Sequence, residues 1–209
     1  MLDILFPNKC EVIQMPTADI YPIFKNGSSS LFYHARDNNY PIRFNEQIKN
    51  IETIDIILRE PIDRFISGIN TFVYNTARDY NLDVNTTLFF AESYLFLNRH
   101  YSSQLSWLLN LNRYIDSKLI LRFHNMDALA TFTPLRVEID QDCLLSPQII
   151  EKFKTTLPDN MIFRLDSVLY SLVGKELTMA EIFAELKKDS IAYQSTILKA
   201  KQILCNVPD

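Results

Sequence analysis

The chain has 209 residues, 47% hydrophobic and 22% charged, with a formal net charge of -4 and a sequence pI of about 5.4. This length and composition suit one well-buried core and are too small for two generous domains. The mildly acidic balance lacks the basic excess of a general nucleic-acid binder, and no apolar run reaches transmembrane length. Cys10, Cys143 and Cys205 are far apart, and no CxxC or Cys/His cluster has metal-ligand spacing. Reduced thiols and no metal are therefore expected. The opening MLDILFPNKCEVIQ has neither the basic region nor the apolar run of a signal peptide, so a cytoplasmic chain without membrane contact is expected.

In chain order, the first apolar run of strand length is Ile20–Phe24, followed by Lys25-Asn26-Gly27-Ser28-Ser29-Ser30 and a helix opening with LFYHAR. A second strand, Ile54–Leu58, runs into Arg59-Glu60-Pro61. Pro61 suits the first turn of a helix in which Ile62, Phe65, Ile66, Ile69 and Val73 form an apolar stripe. A very apolar helix is predicted from about Thr86 to Arg99. Leu119–Phe123 is a third strand and Leu135–Ile139 a weaker fourth. A helix near Met161–Val173 follows, and a capping box of Thr178 and Glu181 starts a last helix reaching about Leu204. IDIIL and KLILRF read as strands buried on both faces. Strands alternating with helices imply a layered α/β fold with a central, mainly parallel sheet flanked by helices. One domain over 1–209 is expected, with a core at about 18–125 and a helical part at about 145–205. Ligands in such folds sit at the carboxyl ends of the strands.

Two segments occupy that edge. In the first, Gly27 permits a tight turn and close backbone approach, and Ser28 or Ser29 is expected to cap the helix. Its free amides and dipole favour an anion, to which Lys25 adds a full charge. The plain alternative is a serine-rich turn with a solvated lysine. Lys25 precedes Gly27, the reverse of a GxxxxGK[ST] loop, which argues against an ordinary ATP or GTP site. In the second, the Arg59 guanidinium can grip phosphate bidentately, and Ser67 lies opposite the apolar stripe. The alternative there is an arginine paired with Glu60 or Asp63.

Together these segments resemble the sulfotransferases that use 3'-phosphoadenosine 5'-phosphosulfate (PAPS), especially the carbohydrate-modifying branch. Pro22, Lys25, Gly27, Ser28, Ser29 and Ser30 match the family's Pro-x-x-Lys-x-Gly/Ala-Ser/Thr-Ser/Thr loop. Arg59, Pro61, Arg64 and Ser67 match its Arg-x-Pro-x-x-Arg-x-x-Ser segment. Looser echoes are Asn98–Gln104, with Ser103 where the family has proline; KLILRFHNMDAL, with His124 where Glu is common; and FRLDSVLY, with Phe163 before Asp166 where the family has tyrosine. The similarity spans roughly Ile20 to Tyr170.

The resemblance implies a P-loop-like three-layer fold, PAPS as sulfuryl donor with its bisphosphate PAP as product, and no metal. It assigns the 5'-phosphosulfate to the loop Lys25–Ser30, and the 3'-phosphate to Arg59 and Ser67. The acceptor it implies is a small molecule or glycan with a free hydroxyl. His34, His100, His124 and Glu92 are candidates for the base, and His100 leads because its segment echoes the family. Tyr101, Gln104 and Trp107 are candidates for the acceptor pocket, with the core as the commoner place for aromatic side chains. Two other classes are weighed: an inactive sulfotransferase-fold protein that binds nucleotide or glycan, and a nucleotide phosphotransferase, which the missing Walker A loop disfavours.

Overall fold

Two runs dense in β-branched and aliphatic residues form the centre of a sheet: β4 (Thr53–Ile57) and β5 (Ile120–His124). The computed structural model describes residues 10–93, 98, 100–134 and 143–205. Among them the sheet has six strands in the order β3-β1-β2-β4-β5-β6, adding β1 (Glu11–Gln14), β2 (Asp19–Ile20), β3 (Ile42–Phe44) and β6 (Glu176–Leu177). β4 and β5 pair in parallel from Thr53↔Ile120 to Ile57↔His124, and β2 joins β4 in parallel at Ile20↔Asp55. The pairings β1–β2, β1–β3 and β5–β6 are antiparallel. The sheet is therefore mixed and mostly antiparallel, not mainly parallel. One cause is local: Met15–Ala18 closes a tight turn between β1 and β2, and a connection that short permits only antiparallel neighbours.

Alternation along the strands sends side chains to two faces. Ile54, Ile56, Leu121 and Phe123 pack with Leu105, Trp107, Leu108 and Leu111 of α4 (Gln104–Leu111) and with Leu165 and Leu169 of α7 (Met161–Tyr170). On the other face Ile13, Ile20 and Ile57 pack with Leu31 and Ala35 of α1 (Ser28–Asp37) and with Leu129 of α5 (Leu129–Phe132). Helices thus flank both faces. A third cluster is built on α2 (Pro61–Tyr80). There Phe65, Ile69 and Val73 meet Leu88 of α3 (Val84–Ser93), Phe153 of α6 (Pro147–Thr156) and Phe163. Full burial of each such side chain contributes about 1.5–3 kcal/mol.

Several boundaries differ from the sequence reading. β2 stops at Ile20 instead of continuing to Phe24, because Pro22 has no N–H to give a ladder. The last helix is two: α8 (Met179–Leu186) and α9 (Ser190–Cys205). Between them Asp189 caps α9, its carboxylate accepting the Ala192 N–H at 3.2 Å. α3 starts at Val84 because Asp83 accepts the Thr86 N–H at 3.0 Å. The expected strand Leu135–Ile139 lies outside the described residues, as does Arg99. Among the described residues no helix is long and apolar enough to cross a membrane.

Candidate anion-binding site

Beyond β2 the Tyr21 N–H still reaches the Asp55 carbonyl, at 3.0 Å, and then the chain leaves the sheet. It turns at once, with the Asn26 N–H on the Ile23 carbonyl at 3.1 Å. Lys25 (φ 68°) and Gly27 (φ 78°) both adopt left-handed backbone. Glycine does so freely, whereas for lysine it costs on the order of 1 kcal/mol, strain of the kind that collects at functional sites. A Cβ at Gly27 would also come within 2.7 Å of the Leu129 side chain. Gly27 itself is the N-cap of α1 and no side chain caps the helix, so neither Ser28 nor Ser29 takes the expected capping role. The ladder begins with the Leu31 N–H on the Gly27 carbonyl at 3.1 Å, so the positive end of the helix dipole faces the loop. Ser28 and Ser30 are buried and Ser29 is half-buried.

Arg59 follows β4 on the same sheet edge. Glu60 is committed to capping α2, its carboxylate accepting the Asp63 N–H at 2.7 Å. Arg59 instead donates through Nη1 to the Lys25 carbonyl at 3.4 Å, joining the two loops. One turn on, Arg64 is only 2% exposed. Its Nε donates to the Phe24 carbonyl at 3.1 Å and its Nη1 to the Ser102 carbonyl, while Nη2 is buried without a protein partner. Lys25 Nζ donates to the Thr71 hydroxyl at 2.6 Å, and that hydroxyl donates to the Ser67 carbonyl at 3.0 Å. Ser67, half-buried on α2, therefore stands one turn from the lysine's contact.

Three cations crowd this space. Burial, and after it Arg59 and Arg64, lowers the Lys25 ammonium to about 8. Burial lowers Arg64 to about 10, opposed by Asp166. Asp166 is fully enclosed and pushed up to about 6 by that burial. The N–H groups of Leu105 and Gln104, which its oxygens accept at 2.9 and 2.8 Å, pull the other way. A cluster this rich in positive charge and helix-start amides gains from an incoming anion.

His100 borders the loop. Its ring meets Phe24 edge-on, with centroids 5.8 Å apart, and its carbonyl lies against α2 where a Cβ on Gly68 would sit 2.1 Å from it. Only glycine at 68 permits that approach. The other candidate bases fall elsewhere. His124, at the end of β5, sets Nε2 2.6 Å from Asp55 Oδ1 on the α1 side of the sheet. His34 contacts Asn38, and Glu92 pairs with Lys152 at the surface. Tyr101, Gln104 and Trp107 are buried, Trp107 stacked on Phe24 at 5.3 Å, so they build core instead of lining an acceptor pocket. A shallow hollow of about 440 Å³, lined by Ile62, Phe163, Arg164, Ser167 and Asp189 among others, shares no residue with the cation cluster.

Asn26 turns its side chain inward, 1% exposed, with Nδ2 on the Ile57 carbonyl at 2.8 Å and on Gln104 Oε1 at 2.7 Å. The inward roles of Arg64, Thr71, Gln104 and Asp166 were not foreseen from sequence. A carboxylate inside the apolar helix FRLDSVLY and a glycine inside α2 were the available signals. Among the described residues no group of three or more His, Cys, Asp or Glu is placed to hold a metal. No family model, curated protein or solved structure matches this chain.

Proposed function

We propose that the chain is a sulfotransferase moving a sulfuryl group from PAPS to a hydroxyl, with a carbohydrate as the acceptor class. The observation that carries this reading is the pair of loops leaving adjacent parallel strands, one with Lys25 and one with Arg59, in contact at 3.4 Å. Such a pair suits a ligand with two anionic groups. The orphaned Nη2 of Arg64 and the crowding of Lys25 by Arg59 and Arg64 support the fit. The parallel β2–β4–β5 core between helices is read as P-loop-like, with the site at its carboxyl edge.

In this reading Lys25 and the amides starting α1 at Ser28, Ser29 and Ser30 would hold the 5'-phosphosulfate, with Gly27 permitting close approach. Arg59 and Ser67 would hold the 3'-phosphate. PAPS, when bound, supplies the sulfuryl group. As the bond from sulfur to the phosphate oxygen breaks and one to the acceptor oxygen forms, Lys25 and the amides meet the charge gathering on the departing oxygen. A ring nitrogen of His100 takes the acceptor's proton. Each charge-assisted contact contributes about 1.5–3 kcal/mol. An exposed free Cys143 suits a reducing compartment such as the cytoplasm.

Thermal denaturation with adenosine 3',5'-bisphosphate against ATP is the first test, the bisphosphate being expected to stabilise the protein more. No preference for the 3'-phosphate rejects the reading. Transfer of labelled sulfate from PAPS to glycans and small alcohols then separates an enzyme from a nucleotide-binding protein. His100→Ala should lower kcat while leaving bisphosphate affinity intact.

A further inference from the structure

Gln104 is the first residue of α4 and is 0% exposed. Its Oε1 accepts from Asn26 Nδ2 at 2.7 Å and from the Arg59 N–H at 3.0 Å. Its Nε2 donates to the Arg59 carbonyl at 2.9 Å, and its backbone N–H donates to Asp166 at 2.8 Å. Bonding both the N–H and the C=O of one residue imitates a rung of a β-ladder. It fixes the backbone orientation of Arg59 as well as its place. The same oxygen grips Asn26, which lies between Lys25 and Gly27.

Other links tie the Lys25 loop to β4 and α2 without gripping the Arg59 backbone: Asn26 Nδ2 on the Ile57 carbonyl at 2.8 Å, Arg64 Nε on the Phe24 carbonyl at 3.1 Å and Lys25 Nζ on Thr71 at 2.6 Å. The β2–β4 pairing ends before Pro22, and the direct contact of Arg59 Nη1 with the Lys25 carbonyl is long, at 3.4 Å, and part-buried. Gln104 is the short, enclosed strap onto the Arg59 backbone itself, and Asp166 anchors it by accepting the first two amides of α4.

We infer that Gln104 is a positioning residue that couples the two anion loops, holding the Lys25 and Arg59 sites at a fixed spacing before ligand arrives. The inference rests on the two-anion reading above. It names the ligand class the coupling selects: nucleotides with anionic groups at both the 5' and 3' positions. For these, the second contact forms with little further ordering cost. A Gln104 that merely fills space would lack this effect, and its loss would weaken every ligand alike.

The test is calorimetric titration of the full chain with adenosine 3',5'-bisphosphate and adenosine 5'-monophosphate, comparing wild type with Gln104→Met, which keeps volume and loses the amide. The ratio of the monophosphate Kd to the bisphosphate Kd should fall about tenfold in the variant, with monophosphate affinity changing less than about threefold. If Gln104→Met does not fold, Gln104→Asn, which stays neutral but is one methylene too short to grip the Arg59 backbone, should also lower the ratio. An unchanged ratio in a folded variant overturns the coupling alone. A wild type that prefers neither nucleotide overturns the two-anion reading and the coupling with it.

Discussion

Lys25 offers a direct quantitative test of the site, because its charge is precarious. Burial first, and Arg59 and Arg64 next, bring its ammonium from 10.5 down to about 8. At that value about nine-tenths of the lysine is charged at pH 7 and about one-tenth at pH 9. An anion bound against Nζ favours the charged form, so above pH 8 binding must take up a proton. The sign follows: affinity for adenosine 3',5'-bisphosphate should fall as pH rises through 8, approaching tenfold per pH unit. Phosphate second ionisations, near pH 6, are complete below this window, and Arg64 titrates above it, at about 10. Lys25→Ala should lose about 1.5–3 kcal/mol of affinity at pH 7, roughly 10–150-fold, and show a flat profile above pH 8. Calorimetric titrations from pH 7 to about pH 9.5 on both proteins would measure it. Equal slopes in wild type and variant would refute the assignment of Lys25 to the ligand.

Asp166 predicts a pH effect on stability. Its native value of about 6 lies above the ordinary 3.8, so the folded protein binds this proton more tightly than the unfolded chain. The resulting stability is full below about pH 4 and is lost as pH rises through about 6, a change of about 3 kcal/mol. Urea unfolding of wild type and Asp166→Asn should therefore diverge across that window, and a pH-independent difference would count against the buried carboxylate. Gly68→Ala gains about 1 kcal/mol of helix propensity but drives a Cβ to 2.1 Å from the His100 carbonyl. A net loss of about 1–3 kcal/mol, with weaker bisphosphate binding, is expected from thermal melts. A neutral or stabilised variant would show that α2 can move without cost.

The two loops were legible in the sequence because their signals are local. Gly27 after Lys25, the serines that follow, and Pro61 two residues after Arg59 each restrict backbone or charge within a few positions. The paired strands around Ile56 and Phe123 were legible for the same reason, as short aliphatic runs. The antiparallel strands β1, β3 and β6 were not, since they are four, three and two residues long and draw their form from the neighbours they pair with. Only the tertiary structure decided which polar groups point inward. Asn26 meets Gln104 across 78 positions, and Gln104 meets Asp166 across 62. Bonds of that span leave no periodicity or adjacency in a sequence. Burial makes them obligatory, because an amide or carboxylate withdrawn from water must find its partner wherever the fold brings one. The composition and order of residues thus specified the turn at Lys25–Gly27 and the helix start at Arg59–Pro61. The packing of α2, α4 and α7 against the sheet edge brought the two segments into contact.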